Sequence, residues 1–132
     1  MGNNDAFKAR LAQRVKAASD KLDKLPVAVA FEVAASLIKK SPVDTGRFRS
    51  SWRIAVGAAD RTVTTLPTVD ALSFGANSIR DMVPGETIYV TNSLPYSRRL
   101  EYGHSKQAPH GMVRITLAEA PALLKRALRA IE

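Results

Sequence analysis

The sequence has no cysteine among its 132 residues. That excludes disulfides, thiolate metal sites and a cysteine nucleophile. It has no apolar run long enough to span a bilayer. The first residues, MGNNDAFKARLAQR, lack the apolar core of a secretory signal. Position six is Ala6 rather than Ser or Thr, so the myristoylation pattern is missing as well. The expectation is a chain made in the cytoplasm, with no membrane partner, and kept there until something assembles it. No glycine-rich loop of phosphate-cradling spacing occurs, and no nucleophile elbow.

With two histidines the chain offers little for a metal. His104 and His110, with Glu101 nearby, stand six residues apart across a loop containing Pro109, which fits no ligand spacing of a structural or catalytic site. Asp44-Thr45-Gly46 matches three letters of the aspartic-protease signature. That chemistry needs two facing aspartates sharing a proton in tight loops between apolar strands. Here Pro42 precedes and Arg47 follows, so the simpler reading is a turn capped by Asp44. The sequence therefore predicts no catalytic residue, no metal and no cofactor.

What is present is charge of one sign. Lys and Arg total 20 against 12 Asp and Glu, a net charge of +8. Such a balance invites a polyanion or an acidic surface. The charge is spread: residues 1–25 carry six basic and three acidic side chains, and residues 98–132 carry seven and three. Most of it reads as solvated helix surface. The densest cluster is Lys39, Lys40, Arg47, Arg49 and Arg53, opposed locally by Asp44 alone. Neither an aromatic-interleaved basic run nor a helix-turn-helix or zinc-finger spacing accompanies it.

Periodicity predicts helices at both ends of one domain spanning residues 1–132. Asn4 or Asp5 caps the first, and Phe7, Leu11, Val15, Ala18 and Leu22 recur at steps of three and four. Pro26 either starts a second helix or kinks a long one. The stripe continues through Val29, Val33 and Leu37, and residues 27–38 hold one charge, Glu32, so this half is expected to be buried. Ser41-Pro42 ends it. After the loop SPVDTGRFRSS, alternation predicts a strand at Trp52–Val56, returning as a second strand through RTVTTL. Residues 69–83 are expected to hold a short helix. A strand follows Pro84-Gly85 over Glu86–Asn92, then a short helix with Tyr96, Leu100 and Tyr102 that stops at Gly103. From Met112 to Ile131 the pattern favours helix over strand despite Pro121, with Val113, Leu117, Leu124 and Leu128 expected to be buried. The fold class is α+β, with the terminal helices packed on a small, mainly antiparallel sheet.

The segments SPVDTGRFRSSWRIAVG (residues 41–57) and PGETIYVTNSLPYSRRLEYGHSKQAPHGMVRITLAE (residues 84–119) closely resemble the tail-completion family of long-tailed bacteriophages, whose members include head–tail connector, neck and minor tail proteins. The likeness covers most of residues 30–120. It implies a non-enzymatic virion protein: an α+β subunit in a homo-oligomeric ring, hexameric by the resemblance. Such a ring would lie between a head stopper or connector protein and a tail-terminator or tail-tube protein, with double-stranded DNA passing through without sequence readout. The neighbouring tail-terminator and head-stopper roles stay open beside it, as does a free basic DNA-binding protein.

A ring subunit needs head-to-tail contacts, and amphipathic aromatics with arginines suit such interfaces. The two polar loops 41–50 and 103–111, read as mobile, are the expected inter-subunit or ring-to-ring surfaces. Asp44, Arg47, Arg49, Trp52, Tyr96, Arg98, Arg99, Tyr102, His104, Lys106, Gln107 and His110 are the expected participants. Lys39, Lys40 and Arg53 are the candidates to face DNA in the lumen.

Overall fold

The computed structural model describes residues 3–43, 47–63, 79, 82–83, 85–103, 105–108 and 110–132. The second strand expected at RTVTTL and the helix expected within residues 69–83 fall largely outside these. Residues 61–63, which are described, are not in a strand.

The chain opens with one continuous helix, α1, Asn3–Lys40. Pro26 lies inside it and neither starts nor ends a helix. Proline lacks an N–H, so the Leu22 carbonyl has no intrahelical donor at that point. The helix stops where Ser41-Pro42 demands it. The Ser41 hydroxyl donates back to the Leu37 carbonyl at 2.6 Å and so covers one of the carbonyls left open at the helix end.

A short helix, α2, Arg47–Ser50, leads directly into β1, Trp52–Val56. β1 pairs antiparallel with β2, Ile88–Asn92, in the register Trp52–Asn92, Ile54–Val90, Val56–Ile88. The chain then forms α3, Ser97–Glu101; α4, Val113–Ala118; and α5, Ala120–Ala130. The expected terminal helix is thus real but divided at Glu119, and Pro121 falls in the first turn of α5, where its missing N–H costs nothing. The fold is α+β, as the pattern predicted.

Two apolar clusters hold these elements. Leu37, Phe48, Trp52, Leu94, Ala108 and Met112 form one, with Val33, Ile38, Val90 and Leu100 against it. Ala34, Ile54 and Ile79 form the other, with Val27, Phe31, Val56 and Ile88. The C-terminal half of α1 therefore packs on the sheet, and α5 lies along α1. One expectation fails. Val113, Leu117, Leu124 and Leu128 are exposed, while Thr116, Leu123 and Ala127 are buried. The helical period was right but its phase was not. The small Ala127 and the Thr116 hydroxyl, 3.4 Å from the Ser36 hydroxyl, let α4 and α5 approach α1 closely.

Candidate assembly surface

The two loops expected to make contacts are tied to each other and to the core. Phe48 from the first and Ala108 from the second are both buried in the same apolar cluster. Between the loops, the Val43 N–H donates to Gln107 Oε1 at 2.8 Å, and Gln107 Nε2 donates to the Val43 carbonyl at 3.1 Å. One amide side chain thus pairs with one backbone residue on both its donor and acceptor sides, as a neighbouring strand would.

Trp52, reached by the first loop, is held by its indole N–H, which donates to the Ser41 hydroxyl at 2.8 Å. Its ring meets Phe48 edge-on with centroids 5.9 Å apart, and Phe48 in turn lies 6.0 Å from the Tyr96 ring. Arg49 donates to the Ser41 carbonyl at 3.2 Å. Asn92, at the end of β2, gathers the next turn. Its Nδ2 donates to the Phe48 carbonyl, and its Oδ1 accepts from the Leu94 N–H and the Ser97 hydroxyl. The Asn-Ser-Leu-Pro-Tyr segment is therefore a junction between β2, α3 and the first loop.

Glu101 is the most heavily used polar side chain near the second loop. Its Oε2 accepts the N–H groups of Met112 at 2.7 Å and Val113 at 2.9 Å, and Oε1 accepts that of Arg114 at 3.0 Å. It thus caps the N-terminus of α4 from eleven residues before the capping position, Met112, which has no side chain able to do so. The Arg114 guanidinium sits 3.5 Å from the carboxylate and also donates to the Glu101 carbonyl. Burial alone would raise the Glu101 pKa. The backbone N–H groups of Met112, Arg114 and Val113, with the Arg114 charge, outweigh it and hold the carboxyl below its usual range. Gly111 makes the approach possible. Its φ is +85°, and a Cβ there would lie 2.4 Å from the Glu101 carbonyl oxygen.

What this network leaves at the surface is selective. Arg98, Arg99, Tyr102, Lys106, Gln107 and His110 are exposed, and Tyr96 is so on one edge. The exposed Tyr102 ring lies under the Arg114 guanidinium, 5.4 Å from its centroid. Arg47 and Arg49 are half-buried, and Trp52 is buried. Asp44 and His104 lie outside the described residues. Of the three residues expected to face DNA, Lys39 is exposed, whereas Arg53 is buried and donates to the Ser50 and Trp52 carbonyls.

Lys40 lines a polar cleft of about 380 Å³ with Glu32, Ala35, Ser36, Lys39, Glu119 and Arg126. Lys40 pairs there with Glu119 at 3.0 Å and with the Ser36 hydroxyl, while Arg126 lies 3.9 Å from Glu32. Two carboxylates answer three cations, so Lys40 and Arg126 are paired within the cleft. Among the described residues no three His, Asp or Glu side chains converge as metal ligands would. No helix among them is long and apolar enough to cross a membrane.

The sequence reading missed Glu101 and Asn92 as organisers, because both act on backbone groups that the linear pattern does not bring together. The glycines at 103 and 111, flanking a polar loop, were the available signal. The family described as "Bacteriophage HK97-gp10, putative tail-component" matches residues 5–103. No curated protein and no solved structure matches the chain.

Proposed function

Because the chain belongs to the HK97-gp10-like family of bacteriophage tail components, we propose that it is a structural subunit of the virion neck. In this reading copies of it close into a ring, hexameric by the resemblance, at the head-proximal end of the tail. One face meets the head stopper or connector, and the other meets the tail-terminator or tail-tube protein. DNA passes through the ring without base readout.

The observation that carries the reading is the anchored double loop with its exposed fringe. Arg98, Arg99, Tyr96, Tyr102, Lys106 and His110 sit on backbone that is held by buried anchors rather than by their own side chains. A surface of aromatics and arginines whose described backbone is tied by hydrogen bonds and buried anchors suits docking in a permanent assembly. Lys39, which is exposed, is in this reading a residue that meets phosphates in the lumen, where contacts to backbone alone would let DNA slide.

Deleting the gene from the parent phage and viewing the lysate by electron microscopy tests this. Separate DNA-filled heads and separate tails are expected. Fully joined, infectious particles would refute the neck role. The net charge of +8 also supports a second reading, a free DNA-binding protein. That reading requires tight, steeply salt-dependent binding of short duplexes by the isolated chain, whereas a neck subunit binds them weakly.

A further inference from the structure

The continuity of α1 across Pro26 decides which of its residues share a face. At about 3.6 residues per turn, Lys21 and Lys39 stand five whole turns apart, on one line along the helix. Arg10, Arg14 and Lys24 fall on the same flank, within a sector of about 80°. The row from Arg10 to Lys39 is about 44 Å long. All five side chains are exposed. Among the described residues no carboxylate stands within ion-pair distance of any of them.

The row lies opposite the face that holds α1 to the sheet. Ala30, Ala34 and Leu37 are buried there, about half a turn round the helix from Lys39. Between its cations the flank carries Ala17, Ala28 and Ala35, side chains too short to cover the charged heads. Its one carboxylate, Glu32, faces Arg126 at 3.9 Å. The other acids of the helix, Asp5, Asp20 and Asp23, fall outside the sector. Charge that looks evenly spread along the chain is therefore segregated on the helix.

The shape of this charge selects the partner. A helix lying on an anionic bilayer keeps its polar face cationic. Here the rest of the polar face holds Asp5, Asp20 and Asp23 against Lys8 and Lys16, which gives such a surface no net attraction. One straight row of spaced cations instead matches a rod of phosphates, and duplex DNA carries one negative charge per about 1.7 Å of its axis. Contacts of this kind position a duplex without reading its sequence.

We propose that duplex DNA runs along the flank Arg10, Arg14, Lys21, Lys24 and Lys39 of α1, held through its phosphates. The proposal rests on the neck reading, which supplies the duplex, and it extends the lumen contact from Lys39 to the length of the helix.

The test separates the row from net charge. Arg10→Gln, Arg14→Gln, Lys21→Gln and Lys24→Gln are combined in one full-length chain, since glutamine keeps the helix propensity of the residues it replaces. The control combines Lys8→Gln, Lys16→Gln, Lys106→Gln and Lys125→Gln, four exposed cations off the row, so both variants carry the same net charge. Binding to a short duplex of random sequence is titrated across salt by fluorescence anisotropy. The parent chain should bind weakly at about 50 mM salt and the row variant at least about tenfold more weakly, with the slope of log affinity against log salt reduced by about 2 to 4. The control should lose less than about threefold. Equal losses in the two variants, or affinities that neither alters, would overturn the row; a flank covered within the subunit gives the second result. A loss confined to phosphatidylserine vesicles, with duplex binding unchanged, would overturn it in favour of a lipid surface. The neck role fails separately, by joined particles in phage without the gene.

Discussion

Replacing Glu101 with glutamine tests the account of how the second loop is held. The carboxylate accepts three backbone N–H groups through two oxygens, at 2.7, 2.9 and 3.0 Å. Glutamine has the same shape but one acceptor oxygen, so its NH2 group must face at least one backbone N–H. The loss combines a charge-assisted bond, worth about 1.5–3 kcal/mol, with removal of a negative charge from a helix N-terminus, worth about 0.3–1 kcal/mol. The side chain is 17% exposed, so solvent screens little of this. Relaxation of the neighbouring loop recovers part of it, and the expected cost is about 2 kcal/mol at pH 7, read from the urea midpoint.

The pH dependence carries the sharper information. The folded pKa of Glu101 lies below its reference value of 4.5. Its contribution is therefore complete above pH 4.5 and is lost as pH falls through the lower folded value. The gap between wild type and Glu101→Gln should be full at pH 7, narrow below pH 4.5, and close once the carboxyl is protonated in both states. A gap under about 0.5 kcal/mol at neutral pH, or one that persists unchanged in acid, would refute the capping role.

Gly111→Ala should cost about 2–4 kcal/mol, since it combines positive φ with a Cβ driven onto the Glu101 carbonyl. Gly57→Ala, with φ +82° but open space around the new methyl, should cost only about 1–2 kcal/mol, and paired thermal melts check the difference. Gln107→Ala removes both bonds to Val43. It should destabilise by about 1 kcal/mol and speed exchange of the Val43 amide, measured by hydrogen-exchange NMR. Arg98→Ala with Arg99→Ala should leave the urea midpoint unchanged, because both side chains are exposed, yet lower the yield of joined particles at least tenfold. Equal loss of stability and assembly would show that these arginines serve the fold.

Much of this architecture is written in local signals. The end of α1 before Pro42, the alternation in Trp52–Val56, and the stop of α3 before Gly103 each depend on neighbouring residues, and the structure shows them where the pattern placed them. The phase of α4 and α5 was not legible. Burying Ala127 and Thr116 while exposing Leu124 and Leu117 is a matter of how closely these helices meet α1, which no periodicity records. The same holds within the loops. Asp-Thr-Gly-Arg, Leu-Glu-Tyr-Gly and Gln-Ala-Pro-His-Gly-Met stand out as motifs, but the roles of Glu101 and Gln107 emerge only when chain segments far apart in sequence are brought together. Trp52, named among the interface candidates, and Arg53, named among the lumen candidates, are buried at the sheet.

Pro26 has a consequence for timing. Cooperative unfolding depends on buried contacts, and those begin just beyond this residue, around Val27 and Ala30. On its far side some twenty residues rest on their own hydrogen bonds, and a lone helix of that length is marginal in water. The gap at the Leu22 carbonyl uncouples them further from the core. A free subunit therefore carries a finished core and an arm whose helicity follows local propensity alone. Ordering such an arm against any surface carries an entropic cost that the contacts made there must offset.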